Sequence, residues 1–498
     1  MRYVDKHDLS SIIKSARDIM RKDAGLSTDV DRMPQLSWIL FLKAFDDLEK
    51  ERAMLGPNYR EAIEKPYRWR DWASEEEKGR TGDDLITFVN NELFPYLRNL
   101  IGVDEKDQRT VIAEVFREIY NSMRSGYLLR DVVNLVNRID FTSSDDIHTM
   151  AHLYESMLIE MRDAAGSNGE FYTPRPVIRL IVNQIKPRIG EKILDPALGT
   201  GGFLTESYEF MKSQQKRAQD REILQYHTLF GVEKKPMPYL LGMMNLLLHG
   251  IEKPNIKRDN ALRVPLYEIT EKDRVNVIMT NPPFGGEEEQ GIISNFPEAT
   301  RTSETVLLFL QYIMRKLKDG GRCGMVIPDG TLFSSGVGSR IKKELIENFN
   351  LHTIVRLPKG VFSPYTDIET NLLFFSKDGS SREIWYYEHP LPSQRQKMKN
   401  PRYAKTQPLR YEEFESFQKW WDDRQENEHA WKVPIEKVIE NDYNLDIKNP
   451  RKAKTEHHRP PDDIITSIID KEKRILEVID EIKEQNQRVG ELRLSGQK

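Results

Sequence analysis

Between about residues 146 and 380, short β-branched runs alternate with amphipathic stretches of helical length, and this alternation restricts the fold more than any other feature. The runs are "KILDPA", "LFGVE", "VNVIMTNPPF", "GRCGMVIP", "LHTIVRLP" and "TNLLFFS". Strands separated by helix-length patterns predict an α/β domain with a mainly parallel sheet, placed here at 146–384. Ligands of such sheets bind at the carboxyl ends of the strands. The residues that end these runs are therefore the first candidates for a site.

The flanking regions read differently. In "LSWILFLKAFDDLEKE", Leu36, Ile39, Leu40 and Phe45 fall close to a 3.6-residue period. Residues 1–145 are expected to form a helical packing domain with no chemical constellation. Residues 385–461 are expected to be a linker and C-terminal segment. Their stretch "LPSQRQKMKNPRYAKTQPLR" carries six Lys/Arg and no acid, and suits either phosphate contact or a solvated connection. In 462–498, Ile465, Ile468, Ile475, Ile479, Ile482 and Val489 follow a 3-4-3-4 spacing, with Glu472 and Asn486 at intervening seam positions. That is a coiled-coil seam of about three heptads. A lone helix cannot bury such a stripe, so it docks either on its own body or on a partner.

Composition narrows the class. The chain has 498 residues, too many for one core, with 38% apolar and 31% charged residues. No run approaches the length of a membrane span, and the polar N-terminus lacks a signal-peptide core, so a cytoplasmic protein is expected. The single Cys323 excludes an internal disulfide and a multi-cysteine zinc site, and no metal is expected. With a net charge of −4, any nucleic acid must be met through local patches or with a partner.

Four run ends carry chemistry. "ILDPALGTGGFL" ends a strand at Asp195 and continues through Gly199, Thr200, Gly201 and Gly202 into a helix. Its G-x-G lets backbone approach a ligand closely, without the spacing of a dinucleotide fingerprint or the Lys-Ser/Thr of a P-loop. "LFGVE" ends in Glu233, which is either a surface acid or an acceptor for both hydroxyls of a ribose. Asp259 in "NIKRDNAL" either caps a turn or takes an adenine amine. In "TNPPFGG", Pro282 and Pro283 stiffen the backbone so that the Asn281 side-chain oxygen and the Pro282 carbonyl aim at one point. Two acceptors suit an NH2 group, and Phe284 can stack on the flat ring that bears it. Together these features predict methyl transfer to an amino group, with S-adenosylmethionine as donor.

The chain resembles the modification subunit of type I restriction–modification systems, a DNA amino-methyltransferase of the gamma motif order that acts on adenine N6. The resemblance rests on "GEFYTPRPV", "DPALGTGGFL", "GVEKKPMPYLLGMMNLLLHGI", "NPPF", "LKDGGRCGMVIPDGTLF", "LPKGVFSPYTDIETNLLFF" and "NDYNLDIKNPR". It implies a Rossmann-like S-adenosylmethionine-dependent core. By position, Glu170, Phe171, Tyr172, Thr173, Pro174 and Arg175 would close over the methionine end of the cofactor. Asp195, Gly199, Thr200, Gly201 and Gly202 would form the turn around it, Glu233 would hold the ribose and Asp259 the adenine. Asn281, Pro282, Pro283 and Phe284 match the catalytic motif, and either Phe362 or Tyr365 would supply a second aromatic face for a base rotated out of the duplex. Leu198 and "RDN" depart from the family pattern, in which a small residue or cysteine and a glycine-acid-Ser/Thr triplet are usual. The implied partners are DNA, a specificity subunit that reads the sequence and is clasped by two modification subunits, and a restriction subunit in the full complex. The rivals are a self-sufficient type II methyltransferase and a protein-glutamine or RNA methyltransferase, since N-P-P-aromatic clamps other amines too.

Overall fold

A computed structural model of the chain describes residues 6–55, 59–74, 79–103, 107–142, 144–165, 172–251, 253–396, 401–451, 472–474 and 479. All six β-branched runs lie in one nine-stranded sheet. Its strands are β1 (Ile193–Asp195), β2 (Leu229–Glu233), β3 (Asn255–Arg258), β4 (Val275–Thr280), β5 (Leu317–Pro328), β6 (Asn350–Arg356), β7 (Thr370–Ser376), β8 (Glu383–Glu388) and β9 (Ala430–Pro434). The spatial order is β3-β2-β1-β4-β5-β7-β6-β8-β9. Neighbouring strands from β3 to β5 are parallel, and β7 runs antiparallel between β5 and β6. The chain winds from β1 out to β3, then returns to place β4 on the other side of β1. The crevice at that reversal is where an open α/β sheet takes its ligand. Asp195 and Asn281 stand at its two rims.

Helices cover both faces, which is why the central strands read as continuous apolar runs. On one face pack α6 (Arg175–Ile185), α7 (Gly202–Lys212) and α8 (Pro236–Leu248). On the other pack α9 (Thr305–Lys316) and α10 (Val337–Asn348). Before them in the chain come α1 (Lys6–Met20), α2 (Asp29–Leu55), α3 (Gln108–Phe116), α4 (Gly126–Asn137) and α5 (Ser144–Ala165). Both α2 and α5 pack on α8. That placement explains the sequence of α8, "PMPYLLGMMNLLL", which is apolar all round because the helix is buried between the sheet and the N-terminal helices. The hydrophobic core therefore runs without a break from Leu9 and Trp38 through Leu240 to Val326.

One expected boundary is corrected. Among the described residues, the boundary at 384/385 falls inside a strand: β8 crosses it, pairs parallel with β6, and is edged by antiparallel β9. Ile384, Trp385, Tyr386 and Tyr387 are strong strand formers, and three of them are buried. The basic stretch also packs: the Tyr403 amide donates to the Lys359 carbonyl (2.9 Å), on the segment that carries Phe362 and Tyr365. Of the C-terminal seam only Ile479 is described, in helix; its other apolar positions lie outside the described residues. No described helix is long and apolar enough to cross a membrane.

Candidate active site

The strand ends converge. An open cleft is lined by Thr173, Asp195, Gly199, Glu233, Asp259 and Asn281, with Thr200, Gly202, Asn260, Pro283 and Glu288 among the others. The turn after β1 places Gly199 at φ +55° and Gly201 at φ +75°, left-handed conformations that a side chain would strain. Leu198, the departure from the family pattern, is buried, and its methyl groups sit over Gly231 and Gly242, so it fills a gap between the turn, β2 and α8.

Of the four acids in the cleft wall, the three at strand ends have different partners. Asp195 is buried and accepts hydrogen bonds from Thr280 Oγ1 (2.7 Å) and the Ala197 amide (3.2 Å). Burial, reinforced by the charge of Glu233, outweighs those bonds and pushes its pKa up to about 7. The Thr280 bond ties the ends of β1 and β4 together. Glu233 accepts from the Gly199 amide (2.8 Å) and the Lys235 amide (2.7 Å), so it braces the glycine turn. Burial raises its pKa even against those donors. Each oxygen keeps acceptor capacity for a ligand hydroxyl. Asp259 follows β3, caps the Asn260 amide (2.8 Å) and pairs with Arg263 (2.8 Å). Its turn-capping role is thus present alongside its place in the cleft wall.

Asn281 is fixed by a partner that sequence reasoning assigned elsewhere. Its Nδ2 donates to Thr173 Oγ1 at 2.9 Å, which sets the direction of the amide. Its Oδ1 is buried and accepts no hydrogen bond from any described residue. Buried acceptors are rarely left so, because an unmade bond costs about 1–3 kcal/mol. An unsatisfied acceptor in a cleft wall is a place for a donor to arrive. Phe284 lies with its ring centroid 5.4 Å from that of Phe362, edge to face, and 6.1 Å from that of Tyr365 at an interplanar angle of 35°. Phe362 is buried and Tyr365 only partly so. Tyr365 is the ring better set to share a planar ligand with Phe284.

The segment before α6 divides. Thr173 reaches the cleft, Tyr172 is buried, and Pro174 caps α6. Glu170 and Phe171 lie outside the described residues. Arg175 is not in the cleft wall, contrary to expectation. Its guanidinium pairs with Glu155 of α5, with Nε at 2.6 Å from Oε2, and Nη1 donates to the Gly202 carbonyl (3.0 Å) and Thr205 Oγ1 (2.9 Å). It holds the turn from behind. Glu288 was not anticipated. It pairs with Lys234 (3.1 Å) and accepts from Asn260 Nδ2 (3.2 Å). In "GGEEEQ" it reads as one solvated acid among three. Cys323 is buried in β5, and burial raises its pKa well above the usual thiol value, so it offers no thiolate for covalent chemistry on a base.

The strand order, the antiparallel strand beside β5 and the glycine turn at the switch point define a Rossmann-like methyltransferase core. The chain belongs to the N-6 DNA methylase family, which matches residues 145–459, and within it to the methylase subunits of type I restriction enzymes. The HsdM N-terminal domain matches residues 9–136. The chain is 50% identical over 462 residues to the EcoEI methylase subunit of Escherichia coli, covering 91% of this chain and 92% of that one. The crystal structure of a modification subunit assigned to a type I restriction enzyme of Vibrio vulnificus is 51% identical, with a TM-score of 0.81 over 92% of this chain and all of that one. A chain from a structure of type I complex assembly is 40% identical, with a TM-score of 0.83, covering 98% of this chain and 99% of that one. By this membership the chain is an N6-adenine DNA methyltransferase subunit.

Proposed function

We propose that the cleft binds S-adenosylmethionine and that Asn281, Pro282, Pro283 and Phe284 present the N6 amine of a flipped adenine to it. The residues fit the cofactor: a glycine turn open to close approach, a braced carboxylate at Glu233 for ribose hydroxyls, and a buried Asp195 whose ionised form a cation would favour. When bound, the cofactor supplies a methyl group on a sulfonium, open to in-line attack by nitrogen. The protein holds the nitrogen. Asn281 Oδ1 and the Pro282 carbonyl accept the two amine protons, while Phe284 and Tyr365 hold the ring. Attack needs no prior deprotonation, because a proton leaves after the N–C bond has formed. The unsatisfied Asn281 oxygen carries this reading.

Base rotation out of the duplex costs a few kcal/mol. Membership among type I methylase subunits supports a specificity subunit as reader, two copies of this chain per reader, and a restriction subunit in the full complex. The segment 462–498 is proposed as the docking helix. The test is Asn281→Ala in the assembled complex. Methylation of adenine, read by nucleoside mass analysis, is expected to fall by at least 10²-fold with cofactor affinity within about threefold of wild type. Undiminished methylation, or N4-methylcytosine as the product, would overturn the assignment.

A further inference from the structure

In the run Leu240–Leu248 of α8, Asn245 is the only polar side chain, and it is fully buried. Its Nδ2 makes two bonds, to the Thr200 carbonyl (2.7 Å) and to Glu155 Oε1 (3.3 Å). Its Oδ1 is buried and accepts nothing from the described residues. Leucine would fill much the same space without an unsatisfied oxygen, which costs about 1–3 kcal/mol, but it would take the Nδ2 donor from the Thr200 carbonyl and Glu155. A side chain kept at that cost in an apolar helix is there for its N–H groups. One holds the glycine turn and the other reaches the carboxylate on α5.

The same carboxylate anchors a second grip on the turn. Glu155 binds the Arg175 guanidinium, whose Nη1 donates to the Gly202 carbonyl. Burial opposes ionisation of Glu155, but the adjacent Arg175 charge outweighs it and holds the carboxyl below its ordinary pKa. Two carbonyls of the turn are therefore held from behind by donors that meet on one acid of α5. In a trans peptide the C=O and N–H point in opposite directions. Holding the Gly202 carbonyl sets the direction of the Phe203 amide. Holding the Thr200 carbonyl sets that of the Gly201 amide, which closes the turn on the Leu198 carbonyl (2.9 Å).

We propose that Asn245 is a positioning residue for the cofactor-binding turn, through which Glu155 of α5 sets the shape of residues 199–203. This rests on the reading of the cleft as the S-adenosylmethionine site. The test is Asn245→Leu in the full-length chain, with cofactor binding followed by calorimetry, thermal unfolding without ligand, and amide hydrogen exchange over 198–205. The dissociation constant is expected to rise at least tenfold in a chain that remains folded, with faster exchange at Gly201 and Phe203. A purely structural role gives unchanged affinity and unchanged exchange at those two amides, whatever the melting temperature. Should the leucine variant fail to fold, Asn245→Ala, which only removes atoms, is measured against the same criteria. Wild type that binds S-adenosylmethionine, beside a folded variant that binds it equally, overturns this inference alone. Wild type that does not bind it overturns the reading of the cleft, and this inference with it.

Discussion

Asp195 is the residue whose state the protein controls most tightly. An exposed aspartate ionises near pH 3.9, whereas this one holds its proton to about pH 7 because it is buried. Between those values the folded chain keeps a proton that the unfolded chain has released, so this residue's contribution to stability falls as the pH rises through that window. A cationic ligand in the cleft favours the ionised form and drives the proton out. Affinity for S-adenosylmethionine is therefore expected to rise with pH between 6 and 7, by up to about tenfold per unit, and to level off above. The raised pKa of Glu233 adds in the same direction. Calorimetry in buffers of different ionisation enthalpy should show proton release at pH 6, and Asp195→Asn should flatten the profile. Equal affinity at pH 6 and pH 8 would rule out this linkage.

Among elements, α8 carries the most constraints. It faces the sheet with one side, the N-terminal helices with another, and the glycine turn at Gly242. A Cβ at Gly242 would stand 2.9 Å from the Gly199 carbonyl and 3.3 Å from Leu198. Alanine in a helix interior is favoured over glycine by about 1 kcal/mol. Overpacking against backbone costs about 1–3 kcal/mol, and a carbonyl braced by its own turn gives way less readily than a side-chain tip. The clash is expected to win: Gly242→Ala should lower the melting temperature and weaken cofactor binding together, because the helix and the turn must part. An unchanged melting temperature would mean that the turn yields freely.

For the molecule as a whole, the unbroken core joins the N-terminal helices to the methyltransferase sheet, from Leu9 to Ala430. A tail that a lone helix cannot stabilise, set beyond a chain that already carries the whole cleft, suits docking on a partner. Truncation after residue 461 is expected to leave S-adenosylmethionine affinity within about twofold of the full chain and to abolish co-purification with the specificity subunit. Retained co-purification would remove the docking role from this segment.

The sequence by itself determined the strands and what stands at their ends. β-branched runs, a glycine turn and a proline-locked asparagine are local signals, and each residue's own conformational limits enforce them. The six runs, the turn at Gly199–Gly202 and the rigid Asn281–Phe284 corner were legible for that reason. Contacts between distant segments were not. The partnership of Asn281 with Thr173, the retreat of Arg175 to Glu155, the strand at β8 and the continuity of the core all join residues far apart in the chain. No local preference encodes which of several acids an arginine will meet, or whether an aromatic run finds a sheet edge. Those choices were made when the layers closed and each buried donor took the acceptor within reach.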